Sequence, residues 1–428
     1  MLDIKLIRDN PDIIRRNIEI RFADEEKKAI LESVIKADQE WRRDTDRLNK
    51  MRHEKNLLDQ EIRGLFKEGK DAKDLIQSSR ELSQRVGALE DQVRANRAKI
   101  DNGMLLLPNI AHESVPVGET EEDNEVVRTW GRKPVHPFKP KDHIDLGLAL
   151  DLFDIEKAAS VSGARWYYLK NEAVVLQMSL MRFAIDFMIE AGFTPIYPPA
   201  MIREEIMRGA GYLPEGREDI YKIEDEDLYA VGTSEQALAG LHFSEIMEES
   251  ELPRKYTGIS PCFRTEVGSH GRDTKGIFRV HQFEKVEMFV FSRPSESWNH
   301  HEEMISTAER MVRELKLPYR VVNVCTGELG LVAAKKYDIE IWLPGQDRYR
   351  EAVSCSNCTD YQARRLGIRC RKAPGEPTRH VHTLNSTALA STRTLIAIME
   401  NYQTQDGHIV IPEALRRYMP DIEAIEGK

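Results

Sequence analysis

Three patterns in this chain bring together residue types that handle anions. Cys262 to Met288 reads CFRTEVGSHGRDTKGIFRVHQFEKVEM, two extended runs joined by a charged, Gly-rich loop from Gly268 to Gly276. Arg264 and Glu266 lie two apart, so a strand would place both side chains on one face, where a guanidinium can grip a phosphate or carboxylate at two points. A plain Arg–Glu ion pair is the ordinary alternative. Glu351 and Ser354, in YREAVS, offer a carboxylate and a hydroxyl, the oxygen donors that Mg²⁺ shares with substrate phosphates. Arg393 is a charge inside an apolar helical stretch, ASTRTLIAIMEN, and needs a partner there, either a carboxylate or a second phosphate. Thr233-Ser234-Glu235 opens a helix and reads first as an N-cap. The chain has no Walker-type P-loop and no GxGxxG fingerprint, so a nucleotide site would be of another kind. Cys355 and Cys358, followed irregularly by Cys370, His380 and His382, match zinc spacings poorly and read as buried thiols.

The elements that must carry these groups intermingle without a βαβ rhythm. Strands are expected at Asp227–Val231, Tyr256–Phe263, Ile277–Phe283, Val286–Phe291, Arg320–Val324, Tyr337–Leu343 and Tyr349–Val353, with another at Ala164–Leu169. Helices are expected at Asn171–Ala191, stopped by Gly192, and at Thr387–Tyr402. The resulting class is α+β: a large, mainly antiparallel sheet with helices packed on it.

The first quarter of the chain is different. Asp9 and Asn10 before Pro11 mark a helix start in a small helical cap. From Lys27 to Asp101 there is no proline, and the glycines are Gly64, Gly69 and Gly87. One seam runs Val34, Ala37, Trp41, Asp44, Leu48, Met51, Lys55, Leu58, Ile62, Leu65. A second runs Leu75, Ser79, Leu82, Val86, Leu89, Val93, Asn96, Ile100. Steps of three and four make each a heptad, so the stretch predicts an antiparallel two-helix coiled-coil hairpin, each helix roughly 40–50 Å long. Such an arm serves either dimerisation or a large ligand. Its cations (Arg47, Lys50, Arg52, Lys67, Lys70, Lys73, Arg85, Arg94, Arg97, Lys99) could meet phosphates, but acids are interspersed among them. The expected domains are the arm at 1–105, a connector at 106–170 and a catalytic domain at 171–428.

Composition sets outer bounds. A chain of 428 residues should form at least two domains. With 41% hydrophobic and 31% charged residues it is of globular type. Its net charge of −10 argues against bulk polyanion binding without excluding a local basic surface. Five cysteines, an odd number without framework spacing, suggest a reducing compartment. The N-terminus lacks a signal-peptide pattern and no run has the apolar length of a membrane span. A cytoplasmic location is expected.

Taken jointly, GFTPIYPPAMI, FRTEVGSHGRDTKGIFRVHQFEKVEM, TSE at 233–235, YREAVSCSN and LNSTALASTRTLIAIMENYQ resemble seryl-tRNA synthetases of the common class II type, in the right order along essentially the whole chain. The resemblance implies activation of L-serine with ATP and Mg²⁺ to seryl-adenylate, then transfer to the 3′ end of tRNA(Ser). It leaves open whether a selenocysteine tRNA, tRNA(Sec), is also charged. Arg264 would hold the α-phosphate and assist with the serine carboxylate. Glu266 would meet the adenine amino group, Phe283 would stack on the ring and Val280 would lie along the nucleotide, with Thr265 in the same ATP-binding run. Arg393 would hold the γ-phosphate. Glu351, Ala352, Val353 and Ser354 would form the nucleotide segment, Glu351 and Ser354 serving Mg²⁺. Thr233, Ser234, Glu235, Arg264, Glu287, Asn385 and Thr387 would bind serine. Arg264, Arg393 and Glu351 are thus the expected catalytic groups. Thr387 stands where many relatives are expected to carry Ser, and His270 in the loop has no assigned role. The resemblance also implies a homodimer with Pro199 at its interface, and an arm that reaches across it to the long variable arm of the tRNA. A paralogue charging a carrier protein is the alternative, but it would have no use for the arm. A catalytically dead RNA-binding protein would not need Arg264, Glu287, Glu351 and Arg393 together.

Overall fold

The computed structural model describes residues 1–267, 273 and 275–427. It forms two compact units, one of residues 2–19 and 23–108, the other of residue 1, residues 20–22 and 109–428.

The smaller unit is helical throughout. Helix α1 is Ile4–Asp9, and α2, Pro11–Ile20, begins at the proline. Helix α3 (Glu25–Lys67) starts at Asp24, whose carboxylate accepts from Lys27 N at 3.1 Å. Gly69, at φ +70°, turns the chain into α4 (Lys73–Met104). Every residue of the two predicted heptad seams is buried or half-buried. Leu48, Met51, Leu82, Val86 and Leu89 form its apolar core, with Val93 against them. The polar seam residues are handled locally: Lys55 pairs with Asp59 at 2.7 Å, and Ser79 of the opposite helix donates to the same carboxylate at 2.8 Å. This polar layer across the seam suits one register only.

The larger unit is built on one eight-stranded sheet. In chain order its strands are β1 (Glu125–Trp130), β2 (Thr194–Ile196), β3 (Arg254–Phe263), β4 (Gln282–Ser292), β5 (Tyr319–Asn323), β6 (Lys335–Leu343), β7 (Arg348–Asn357) and β8 (His382–Ala390). The spatial order is β1-β5-β6-β7-β8-β4-β3-β2, antiparallel except for the β2–β3 edge. Helices α5 (Glu172–Glu190), α7 (Ser297–Glu314) and α9 (Ser391–Asn401) contribute Leu176, Leu180, Met304, Ile305, Leu395 and Met399 to the main core, together with Val286, Met288 and Val290 of β4. The opposite face of β4, Phe289 and Phe291, packs with Leu238 and Ala239 of the short α6 (Ser234–Ala239) and Leu366 of α8 (Tyr361–Leu366).

The elements differ from the sequence expectation in several places; of Asp227–Val231 only Tyr229–Ala230 is strand, and it pairs with Met201–Ile202 outside the main sheet. Ile277 to His281 is not a strand. Ile277, Phe278 and Val280 instead plug the core from an irregular turn, and β4 runs unbroken from Gln282. Thr387 to Ala390 is strand rather than helix. The Leu- and Ala-rich sequence suits a helix, but pairing with β4, Thr387 opposite Glu287, overrides that propensity. Of Ala164–Leu169 only Tyr168–Leu169 is strand. Finally, β3 ends at Phe263, as expected, so Arg264 and Glu266 lie beyond it and do not share a strand face.

Candidate active site

The face of the sheet bearing Phe283, Lys285 and Glu287 collects almost every predicted site residue. Beyond β3 the backbone peels from the sheet in steps. Arg264 N still pairs with His281 O at 3.0 Å, but Thr265 N turns to Asp219 O at 3.2 Å and Thr265 Oγ1 donates to Glu218 O. Glu266 then takes a left-handed conformation, φ +53°. The two predicted anion-handling side chains are therefore placed by different contacts. Arg264 Nε donates to Gly232 O at 3.2 Å, and its guanidinium carbon lies 5.2 Å from the Phe283 ring centre. Glu266 receives Arg279 Nη1 at 3.1 Å, and its carbonyl accepts from Arg165 Nη1 at 3.2 Å. Most of the Gly268–Gly276 loop, His270 included, lies outside the described residues.

Arg393, in the first turn of α9, donates to Glu351 Oε1 at 2.9 Å and to Glu351 O at 3.2 Å. Of the two partners the sequence offered, the carboxylate is the one shown. The pair is not sealed: the Glu351 side chain is 47% exposed, leaving it open to a ligand. The loss of part of its hydration works to raise the Glu351 pKa, but Arg393, Lys336 and Arg264 outweigh it and hold the carboxyl below its ordinary value. Ala352 and Val353, between Glu351 and Ser354, are buried in the main core, so only their backbone is available to a nucleotide. Phe278 lies under two cations, 3.7 Å from the Arg350 guanidinium carbon and 5.2 Å from that of Arg393.

A second, drier cluster adjoins this one. Thr233 caps α6, its Oγ1 accepting from Glu235 N at 3.2 Å. Ser234 turns inward, donating to Gly258 O at 3.3 Å. Gly258 is required there, because a Cβ would stand 2.7 Å from Ser234 Oγ and 2.8 Å from Leu238 Cδ1. The lack of a side chain lets α6 sit on the sheet beside Glu287, which pairs across the strands with Gly258 on one side and Thr387 on the other. Both oxygens of Glu235 are engaged: Oε2 accepts from Tyr212 OH at 2.8 Å, and Oε1 from Gln362 Nε2 at 2.9 Å and Asn385 Nδ2 at 3.1 Å. Lys285 lies 2.6 Å from Glu287 Oε2, an ion contact whose angles do not make a hydrogen bond. Burial raises both carboxyls. Glu287 is pushed up to about 7, with Glu235 adding to the effect and Lys285 and Arg264 opposing it.

The sequence reading missed Tyr212, Lys285 and Gln362, and also Asp338, opposite Ser354 on β6. Burial, with Glu351 nearby, pushes Asp338 up to about 7. Lys285 stood two residues from Glu287 in a strand-like run, a signal that was available. Tyr212, Gln362 and Asp338 come from distant segments with no local pattern.

In these described residues, two arginines converge with an exposed glutamate beside a pocket holding two buried carboxyls. Comparison with known proteins identifies the class of chemistry. Residues 1–111 match the seryl-tRNA synthetase N-terminal domain, and residues 221–402 the class II tRNA synthetase core domain of the G, H, P, S and T group. The serine–tRNA ligase of Pyrococcus horikoshii is 49% identical over 438 aligned positions, covering 98% of this chain and 96% of that one. The chain belongs to the seryl-tRNA synthetase family. It is a class II aminoacyl-tRNA synthetase. The crystal structure of seryl-tRNA synthetase from P. horikoshii complexed with ATP covers both chains completely, with a TM-score of 0.95 and 48% identity. The cytoplasmic serine–tRNA ligase of Naegleria fowleri in complex with AMP gives 0.89 at 37% identity, covering 100% of this chain and 99% of that one. The match of this synthetase to the family's N-terminal domain disfavours the carrier-protein alternative.

Proposed function

We infer that the protein joins L-serine to tRNA(Ser) in two steps at the face described above. The observation that carries this reading is the adjacency of a cationic half (Arg264, Arg393) and an acidic half (Glu235, Glu287) on one sheet face. ATP and an amino acid have matching charge patterns. The nucleotide lies along Val280 with its adenine on Phe283 and its amino group at Glu266. Its α-phosphate lies at Arg264 and its γ-phosphate at Arg393, sharing that arginine with Glu351. The serine ammonium goes to Glu287, and its hydroxyl to Thr387 and the Glu235–Asn385 cluster.

The chemistry then needs little from the protein beyond placement. Serine's carboxylate is ionised at neutral pH, so no general base is required. A carboxylate oxygen attacks the α-phosphorus, a new P–O bond forms, the bond to the β-phosphate oxygen breaks, and pyrophosphate leaves with the electron pair. Arg264 and Arg393 neutralise the charge that builds on the phosphates, in a geometry fixed before the reaction. In the second step the 3′-terminal ribose hydroxyl attacks the acyl carbon and AMP departs. Glu351 and Ser354, with the buried Asp338 behind them, are hard oxygen donors that fit Mg²⁺. Bound there, the ion would supply further charge neutralisation at the phosphates.

Arg47, Lys50, Lys67, Arg85 and Lys99 of the hairpin are exposed and make no ion pair among the described residues, leaving them free for tRNA phosphates. Val174, Val175, Met178 and Ile189 on α5 expose apolar side chains, and Tyr197 and Met201 do so farther along the chain, on either side of the exposed Pro199. This surface suits a second copy of the chain. Among the described residues no helix is long and apolar enough to cross a membrane, and all five cysteines are free and buried. A reducing cytoplasm fits both.

ATP–pyrophosphate exchange with each amino acid tests the reading. Exchange should depend on serine, and its absence with serine would overturn the assignment. Deleting residues 31–100 should leave exchange intact and abolish charging of tRNA(Ser). Charging that survives the deletion would remove the arm from tRNA recognition.

A further inference from the structure

One carboxylate in the active-site region has no evident structural reason to be where it is. Strands β6 and β7 place Asp338 directly opposite Ser354 and Glu340 opposite Glu351, with a bulge between Ile339 and Glu340. Cross-strand partners share a face, so three acids and a hydroxyl crowd together. Two of the acids have guanidinium partners: Glu340 pairs with Arg320, and Glu351 with Arg393 at 2.9 Å. Asp338 has no ion pair among the described residues. It is only 9% exposed, and its Oδ1 has no hydrogen-bond partner. The contact it does make is with the Ser354 hydroxyl. Burying a carboxylate with an oxygen unsatisfied costs stability, and buried polar groups are rarely left so. Lys336, the cation with the strongest pull on it, donates to Glu328 O.

We propose that Asp338 is a positioning residue for the nucleotide–metal site, accepting the Ser354 proton so that the hydroxyl lone pairs face a divalent cation held with Glu351. This rests on the reading of Glu351 and Ser354 as metal donors. A serine hydroxyl carries one proton and two lone pairs. Left to rotate, it presents its proton to a cation in some of its rotamers. A carboxylate behind it removes that option, the orienting role that outer partners play for metal ligands elsewhere. Asn at 338 would reverse the arrangement. Its amide can donate to Ser354 Oγ, turning the hydroxyl proton forward onto the ion.

The test reads metal binding rather than turnover. Mn²⁺ is titrated into the full-length protein at pH 8 with a non-hydrolysable ATP analogue, and free Mn²⁺ is followed by electron paramagnetic resonance. Asp338→Asn is expected to weaken Mn²⁺ binding by about 10–100-fold, and Ser354→Ala to weaken it comparably. The double variant should be no weaker than Ser354→Ala alone, because Asp338 acts through that hydroxyl. Wild-type affinity in Asp338→Asn overturns the proposal, and so do losses that multiply in the double variant. Asp338→Ala removes the acceptor without supplying a donor; it carries the same test and the same refuting result should the Asn variant not fold. If Ser354→Ala and Glu351→Gln both leave Mn²⁺ affinity unchanged, the metal reading itself fails, a result distinct from failure at Asp338 alone.

Discussion

Serine binding should depend on pH through Glu287. This carboxyl is 2% exposed, and burial pushes it up to about 7. Its ionised form attracts the substrate ammonium, and its protonated form does not. With a pKa of about 7 the group is about 90% ionised at pH 8 and about 10% at pH 6. Serine's own ammonium stays charged over that range, so the fraction of binding-competent protein falls about tenfold as pH falls, or ~1.4 kcal/mol of apparent affinity. Glu235, raised in the same direction, can only steepen the loss. Isothermal titration of serine into the ATP-free protein at pH 6, 7 and 8 measures it directly. The dissociation constant should rise about tenfold from pH 8 to pH 6, whereas Glu287→Gln should bind serine weakly and almost independently of pH. A flat wild-type profile would refute the argument from burial, and a steep profile retained in Glu287→Gln would transfer the titrating role to another group.

Three further outcomes are expected. Arg393→Ala should lower ATP–pyrophosphate exchange by about 10²–10³-fold, the usual cost of losing one preorganised charge-stabilising group; because Arg393 is partly exposed, circular dichroism melts should show the fold intact. Thr387→Ser removes a methyl beside Glu287, so exchange with threonine should improve relative to serine by about 10-fold or more; unchanged discrimination would exclude Thr387 from the pocket wall. Leu82→Ala opens a cavity at a position 6% exposed in the hairpin core and should destabilise that helix pair by about 2–4 kcal/mol, read as earlier loss of helical signal on heating and earlier loss of charging than of exchange.

Legibility in the sequence followed the range of the interactions. The hairpin could be read almost residue by residue, because its stability comes from contacts that repeat every three or four positions. Lys55 and Ser79, polar residues on those seams, proved to meet at one carboxylate. Most sheet strands were found, but Thr387 was assigned to a helix because Leu and Ala near it suit one. Only pairing with β4, about a hundred residues earlier, makes it a strand. Arg264 and Glu266 are legible as a pair but not in their geometry, since both lie past the end of β3, where contacts with distant segments such as Asp219 set the backbone. Tyr212 and Gln362 were invisible for a similar reason. Neither belongs to a pattern, and both acquire meaning only through the carboxylate of Glu235.

That carboxylate also bears on how the pocket could change over evolutionary time. Tyr212, Gln362 and Asn385, drawn from three separate segments, donate to its two oxygens. Replacing Tyr212 takes the donor from Oε2, and replacing Gln362 or Asn385 takes one of the two donors from Oε1, so single substitutions first lower fitness through stability or affinity. A route to a different amino acid would require several coordinated changes whose effects do not add. The specificity of this pocket is therefore mutationally isolated: the shortest path away from it passes through variants that bind nothing well.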